Sequence, residues 1–364
     1  MADHRAKQAI MDPNLSTAWT LPSNYYVDPA VQEQEKERVF ARTWQIAGRA
    51  EQVAKPGDYF TTELVGEPLL LARDTEGKLR GYYNVCRHRA GPPATGCGNR
   101  KVFRCGYHGW TYALDGKLLN APECEGVENF HPEEFTLRPV RAEEWGGQVF
   151  VNLDERAEPL AKWLGEMPQQ AKRFGFERMK LAARRNYLME CNWKTYIDNF
   201  LEGYHLPSVH PSLNRELDYS QYTTETYTNY SRQLSPIRGP ENEKSVQRRY
   251  AQAKGDDVAE YFWVFPNWML NCYPDNVSLN IVLPLGAEKC VAVFEWYFPE
   301  AALASGAPEE TVKFSDEIQL EDGAICEEVQ KRLRSRSYAR GRYSVKQEKC
   351  LHHFHLTYAR MMGL

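Results

Sequence analysis

Cys86-Arg87-His88 and Cys105-Gly106-Tyr107-His108 decide most of what this chain can be. Each stretch brings one cysteine and one histidine, and sixteen residues separate His88 from Cys105. Two such loops side by side supply two thiolates and two imidazoles. That is the donor set of a [2Fe-2S] cluster with cysteines on one iron and histidines on the other. Neutral imidazole in place of anionic thiolate lowers the negative charge of the cluster, so it accepts an electron more readily. A structural zinc site and a chance juxtaposition among nine cysteines and nine histidines are the competing readings. Zinc spacings usually pair cysteine with cysteine and histidine with histidine. Here each loop holds one of each, which favours the cluster. A one-electron carrier does no chemistry on substrates, so the rest of the chain must supply the task.

Composition narrows that task. At 364 residues the chain has room for two or three domains, and 42% hydrophobic residues with 12% aromatics are ample for packed cores. The net charge is −4, which attracts no polyanion, so nucleic acid is not an expected partner. No apolar run is long enough to span a membrane. The N-terminus lacks the basic start and apolar run of a signal peptide. An odd cysteine count reads as reduced thiols, and a cytoplasmic location is expected.

Along the chain, an N-terminal arm and helix occupy 1–45. Asp28 is the cap and Pro29 the first position of a helix in which Val31, Val39, Phe40 and Trp44 sit among Glu and Lys, which reads as a surface helix laid on a larger body. Short strands at 59–65, 68–73, 79–85 and 148–153, with a hairpin turn at Asp115-Gly116, predict an antiparallel β domain over 46–155. Its two ligand loops would lie at hairpin tips. From 156 to 364 the pattern is mixed. Helices are expected at 158–174, 190–205 and 309–336, and aromatic-rich strands at 260–265, 268–273, 277–283 and 289–298. The fold class is therefore α+β, a small β domain followed by a sheet covered by helices. The charged stretch 239–257 reads as a mobile loop or lid.

A second metal site is written in the later half. In the segment from Asn192 to Pro211, a helix running to about Tyr204 would put Asp198, Glu202 and His205 on one face, and Pro207 would end it. His210 could then fold back towards His205. The alternative is a polar pair in an ordinary helix. Further on, Asp322 falls on an apolar stripe of Ile318, Ile325, Val329 and Leu333, while Glu321 lies about 100° away on a mixed face. A carboxylate on a core-facing stripe is costly unless it is paired or binds metal. A solvated crevice is the bland reading. Together His205, His210 and Asp322 match the two-histidine, one-carboxylate triad of non-haem ferrous oxygenases.

Here the sequence resembles a known family over about residues 19–364. The cluster loops continue as Gly109-Trp110-Thr111-Tyr112 in the second and Arg89-Ala90 in the first, where the family more often ends in glycine. After them come the Asn192-Trp193-Lys194 segment, His205 and His210, and a late Glu321-Asp322-Gly323-Ala324-Ile325-Cys326. This order resembles the α subunit of Rieske non-haem iron oxygenases. The resemblance implies a Rieske domain with Cys86, His88, Cys105 and His108 on the cluster. It implies a helix-grip catalytic domain with His205, His210 and Asp322 on mononuclear Fe2+. It also implies a catalytic role for Glu202, with Asp198 beside it. Glu202 would bridge an iron-ligand histidine to a cluster histidine of the neighbouring subunit, in a head-to-tail homotrimer. Glutamate rather than aspartate there resembles the carnitine and choline monooxygenase branch, as do 18–22, 180–184 and 328–336. The ending 351–355 looks more like oxygenases acting on other substrates.

The implied activity is oxygenation of a small molecule with O2, a quaternary ammonium compound first and an aromatic or O-methyl substrate as the alternative. Tyr261, Phe262, Trp263, Phe265, Trp268 and Tyr273 would line a cation–π cage or simply pack the sheet. The basic run Lys331, Arg332, Arg334, Arg336, Arg340 and Arg342 would dock an acidic reductase domain, hold a substrate carboxylate, or form a solvated helix face. His352, His353 and His355 read as packing or outer contacts to a metal site. No dinucleotide fingerprint is present, so a separate NAD(P)H-dependent flavin or iron–sulfur reductase must supply electrons. A Rieske electron carrier and a zinc-stabilised binding protein are the alternatives from other classes.

Overall fold

A computed structural model describes residues 10–238, 257–304 and 306–364. Of the expected lid, 239–256 lie outside the described residues. The chain divides into two compact units, one of Lys36–Trp163 and one of Met1–Glu35 with Leu164–Leu364. Among the described residues no helix is long and apolar enough to cross a membrane.

The chain enters through α1 (Asn24–Val27) and α2 (Pro29–Arg38). The Lys36–Trp163 unit is an antiparallel β domain. It contains β1 (Gln45–Arg49), β2 (Asp58–Leu64), β3 (Glu67–Arg73), β4 (Leu79–Tyr83), β5 (Cys97–Asn99), β6 (Phe103–Arg104), β7 (Thr111–Tyr112), β8 (Leu118–Asn120), β9 (Pro139–Trp145) and β10 (Gln148–Asn152). Seven strands form one sheet in the order β1-β10-β9-β4-β3-β2-β5, and β6-β7-β8 form a second. Because successive strand residues point to opposite faces, β3 serves two cores. Leu70 and Ala72 pack with Cys86, Phe103, Cys105, Trp110 and Tyr112, and Leu69 and Leu71 pack with Val140, Val149 and Val151. The turn at Asp115-Gly116 closes as expected between β7 and β8, with Gly116 at φ +87°.

The single helix expected at 158–174 is instead α3 (Leu160–Leu164) and α4 (Met167–Ala171). Gly165 sits between them in a left-handed conformation, φ +57°, which ends the first helix. The catalytic-side sheet then builds from β11 (Lys180–Met189), β12 (Thr223–Thr226), β13 (Tyr230–Pro236), β14 (Val258–Val264), β15 (Trp268–Cys272), β16 (Val277–Gly286) and β17 (Lys289–Phe298). It is antiparallel, in the order β11-β17-β16-β15-β14-β13-β12. Its helices are α5 (Trp193–Phe200), α6 (Leu206–Val209), α7 (Pro211–Glu216), α8 (Ala307–Leu333) and α9 (Lys349–Met362). The expected α+β fold class is found; in this half three strands (β11, β12, β13) and three helices (α6, α7, α9) add to the expected elements. Arg184, Arg185 and Asn186 hide the period of β11, and the run His352-His353-Phe354-His355 hides an amphipathic last helix.

The apolar stripe expected on α8 is rotated. Ile325 and Val329 are 39% and 42% exposed, and the buried face runs through Ile318, Gln319, Asp322, Cys326, Gln330 and Leu333. One residue is 100° of helix, so a stripe drawn only through apolar residues missed the amides. The amides are buried because they are bonded. Gln330 accepts from Asn192 N (2.9 Å) and Thr195 Oγ1 (3.0 Å), and Gln319 accepts from Tyr196 Oη.

The Asn192-Trp193-Lys194 segment is a structural anchor. Asn192 caps α5 by accepting the Lys194 N–H. Lys194 Nζ meets Glu35 Oε1 at 2.5 Å, and both side chains are almost wholly buried. Glu35 also accepts from Trp193 Nε1 (2.8 Å) and Tyr358 Oη (2.6 Å). The ammonium lies 5.0–5.5 Å from the rings of Tyr26, Trp193 and Tyr358. Burial lowers the Lys194 pKa, opposed by Glu35. Removing one partner leaves a buried charge alone, so Lys194→Met should cost about 3–5 kcal/mol. The double variant Glu35→Leu/Lys194→Met should recover much of that loss, as read from urea denaturation midpoints.

Candidate metal centres

The two cysteine–histidine loops share one backbone turn. Cys86 N–H donates to Gly91 O (2.8 Å) and Ala90 N–H to Cys86 O (3.0 Å). In the same way Cys105 N–H donates to Trp110 O (2.9 Å) and Gly109 N–H to Cys105 O (3.0 Å). The fourth residue after each cysteine is left-handed, Ala90 at φ +57° and Gly109 at φ +75°. That geometry gives a physical reason for glycine at the place where this chain carries Ala90. Gly91 admits no side chain, since a Cβ there would meet Cys105 Sγ at 2.8 Å.

The donors are sorted by burial. Cys86 and Cys105 are 3% and 2% exposed, while His88 and His108 reach solvent. The imidazole rings lie 4.6 Å apart, and His88 stacks on Trp110 at 4.9 Å. Tyr112 Oη sits 3.1 Å from Cys86 Sγ and accepts the Arg87 N–H at 2.9 Å. Burial, then the neighbouring Cys86, pushes the Cys105 thiol up. A thiol held up in this way gives its proton to a bound cation rather than to water, which fits a cluster bound by sulfur inside and imidazole outside.

The second site departs locally from the sequence expectation. α5 ends at Phe200, so Asp198, Glu202 and His205 do not share one helical face. Past the helix end, the Glu202 side chain takes the backbone donors of the turn: its Oε2 accepts from Tyr204 N and from His205 N at 3.0 Å. Pro207 and Pro211 then restart two short helices, α6 and α7, with His205 and His210 at the two ends of α6.

Those caps aim both rings at α8. His210 Nε2 lies 2.9 Å from Asp322 Oδ1, and His205 Nε2 lies 3.6 Å from the same oxygen. One ligand atom from each of His205, His210 and Asp322 falls within 4.8 Å of the others. The remaining nitrogens turn away to carboxylates, His205 Nδ1 to Glu202 Oε1 (2.7 Å) and His210 Nδ1 to Glu321 Oε2 (2.6 Å). A carboxylate on the far nitrogen of each imidazole orients the ring, as at metal-binding histidines. Burial lowers the His210 pKa, but Asp322 and Glu321 outweigh it and hold the ring above the ordinary histidine value. This donor set suits a ferrous ion.

Asp198 stands outside the set. It accepts from Tyr26 Oη (2.7 Å) and His355 Nε2 (3.1 Å), and Tyr343 Oη meets His355 Nδ1 at 2.6 Å. Among the three late histidines, His352 donates to Asp12 O (2.7 Å). Sequence reasoning missed the role of Glu321, although it neighbours Asp322.

A cavity opens on His205, His210 and Asp322. Strand register writes its sheet side: Gln233, Tyr261, Asn271, Ser278 and Trp296 are paired in one row across β13 to β17. Of the proposed cage aromatics, Tyr261 and Tyr273 line the cavity. Phe262, Trp263, Phe265 and Trp268 are fully buried in packing. Trp296, Phe294 and Phe314, from outside the expected cage, join the lining.

Comparison with known proteins follows the same two-part division. Residues 43–131 match the Rieske [2Fe-2S] domain, and residues 176–364 match the ring hydroxylating alpha subunit (catalytic domain). The chloroplastic choline monooxygenase of Beta vulgaris is 35% identical over 94% of this chain and 78% of its own length. The carnitine monooxygenase oxygenase subunit of Escherichia coli K12 is 33% identical over 89% of this chain and 87% of its own. A solved quaternary ammonium Rieske monooxygenase, described with carnitine oxidation and inter-subunit electron transfer, superposes with a TM-score of 0.82. It is 29% identical and covers 96% of both chains.

Loss of the carboxylate behind His210 should loosen the metal it orients. We expect Glu321→Ala to weaken Fe2+ binding at the mononuclear site by about 10–100-fold. Acid-labile sulfide and the visible spectrum of the cluster should be unchanged. Iron and sulfide analysis of the purified variant reads both.

Proposed function

The chain belongs to the Rieske oxygenases, as an α subunit with a Rieske [2Fe-2S] domain and a mononuclear-iron catalytic domain, and on that premise we propose that it oxygenates a quaternary ammonium compound. The observation that carries this reading is the cavity over His205, His210 and Asp322. It is faced by Tyr261, Tyr273, Trp296 and Phe314, and no lysine or arginine lines it among the described residues. Aromatic faces attract a cation that cannot donate hydrogen bonds, and a cationic wall would repel it. The names of the choline and carnitine relatives point to the same substrate class.

In this reading Cys86, Cys105, His88 and His108 hold the cluster, and His205, His210 and Asp322 hold ferrous iron. When bound, these groups supply one-electron storage and the redox chemistry that activates dioxygen. The rest falls to side chains. Glu202 holds the Nδ1 proton of His205, Glu321 holds that of His210, and both rings keep Nε2 towards Asp322. The aromatic wall seats the ammonium so that a neighbouring C–H faces the triad. One oxygen atom enters that C–H bond and the other leaves as water, consuming two electrons and two protons. The electrons come from a separate NAD(P)H-dependent flavin or iron–sulfur reductase. Glu202 links His205 to a cluster histidine of the next subunit in a homotrimer. Asp198, with Tyr26 and His355, steadies α5 behind that bridge.

Substrate-dependent oxygen uptake by the holoenzyme with a surrogate reductase tests the reading. Uptake with trimethylammonium compounds is expected, and uptake with arenes alone would overturn it. Glu202→Ala should weaken Fe2+ binding at the mononuclear site about as much as Glu321→Ala does. Loaded with excess Fe2+ so that both centres are occupied, it should still show nearly abolished turnover, where Glu321→Ala loaded in the same way should turn over. Normal single-turnover rates in that variant would remove Glu202 from the electron path.

A further inference from the structure

Quaternary ammonium compounds differ in what their other arm ends in, and the polar groups of the cavity bear on that end. Most of its polar lining is already satisfied by the protein. Gln233 accepts from Tyr222 Oη (2.9 Å) and donates to Phe200 O (2.9 Å). Tyr261 Oη and Tyr273 Oη share a bond of 3.0 Å, and Gln319 accepts from Tyr196 Oη. Two amides are different. Asn280, fully buried on β16, has no hydrogen-bond partner at either Oδ1 or Nδ2, and Asn271 on β15 has none at Oδ1. Both line the cavity.

A buried polar atom left unpaired costs about 1–3 kcal/mol, so these atoms await a partner that enters from the cavity. For Asn280 the conclusion survives exchange of its oxygen and nitrogen, because both are unpaired. Together the two side chains offer two acceptors and one donor. A hydroxyl can donate to one and accept from the other. A carboxylate can only accept, and it would face two amide oxygens. It would also be buried in a lining with no lysine or arginine among the described residues and with Glu202 and Asp322 present.

Resting on the quaternary ammonium reading, we propose that Asn280 and Asn271 recognise an uncharged, hydroxyl-bearing arm. The site then takes trimethylamino alcohols in preference to trimethylamino acids. Asn280 is a specificity residue that touches the substrate.

Calorimetric titration of the holoprotein tests this without a reductase. The probes are choline, ethyltrimethylammonium (the same cation without the hydroxyl), glycine betaine, γ-butyrobetaine and indole. Choline should bind at least about 10-fold more tightly than ethyltrimethylammonium and than either carboxylate, the worth of one buried hydrogen bond or more. In Asn280→Leu, close in volume, the ratio of choline to ethyltrimethylammonium should fall to about one. Should that variant fail to fold, the wild-type ratio alone decides. A wild-type ratio near one, carboxylates binding as tightly as choline, or a ratio unchanged in Asn280→Leu would overturn the proposal while leaving the quaternary ammonium reading standing. Binding of indole with none of the cations would overturn that reading itself.

Discussion

An ionised carboxylate cannot stay buried without partners, and the catalytic half of this protein is arranged around that constraint. Asp322 is 7% exposed on the inner face of a 27-residue helix. It is tolerable there because two imidazoles converge on one of its oxygens. Those imidazoles are in turn held by Glu202 and Glu321. A site that gathers three carboxylates around two histidines is electrostatically incomplete without a cation. Metal binding and the local fold are therefore one problem with one solution.

The same constraint acts at the other end of α5. Lys194 and Glu35 are buried together, and Trp193, Tyr358 and three aromatic faces complete their shell. The helix that leads into the metal loop is thus clamped at its start by an ion pair. Beyond its finish, Glu202 takes the backbone donors of Tyr204 and His205. The eight-residue helix is thus held at both ends, which suits a segment that must place a histidine. The cluster loops achieve their rigidity differently, by repeating one backbone turn and packing two buried thiols against it.

The cavity owes its character to sheet register rather than to any motif. Five residues from five strands, far apart in sequence, come into one row because antiparallel neighbours pair residue to residue. Aromatic rings on that row and on α8 form its wall. The buried amide of Asn280 beside that row has no hydrogen-bond partner within the protein.

Much of this was legible in the chain alone. The ligand types and their spacing, the β domain before a helix-covered sheet, and Asp322 as an anomalous charge on a buried face all follow from local pattern. These features are chemical or periodic, and periodicity survives without knowledge of neighbours. The remainder needed the tertiary fold. Helix α5 stops at Phe200, and the turn after it is held by a side chain, since Glu202 takes the Tyr204 and His205 donors; propensity does not see such local side-chain bonding. The inner face of α8 runs through Gln319 and Gln330 because their partners lie on α5 and before it, over a hundred residues away. Asp198 binds Tyr26 and His355 rather than the triad for the same reason. Glu321 acquires its role only when His210 folds back. A sequence specifies which groups are available to bind metal and substrate. Which of them meet is decided by packing, because a buried polar group is committed to whatever partner the fold brings within hydrogen-bonding distance.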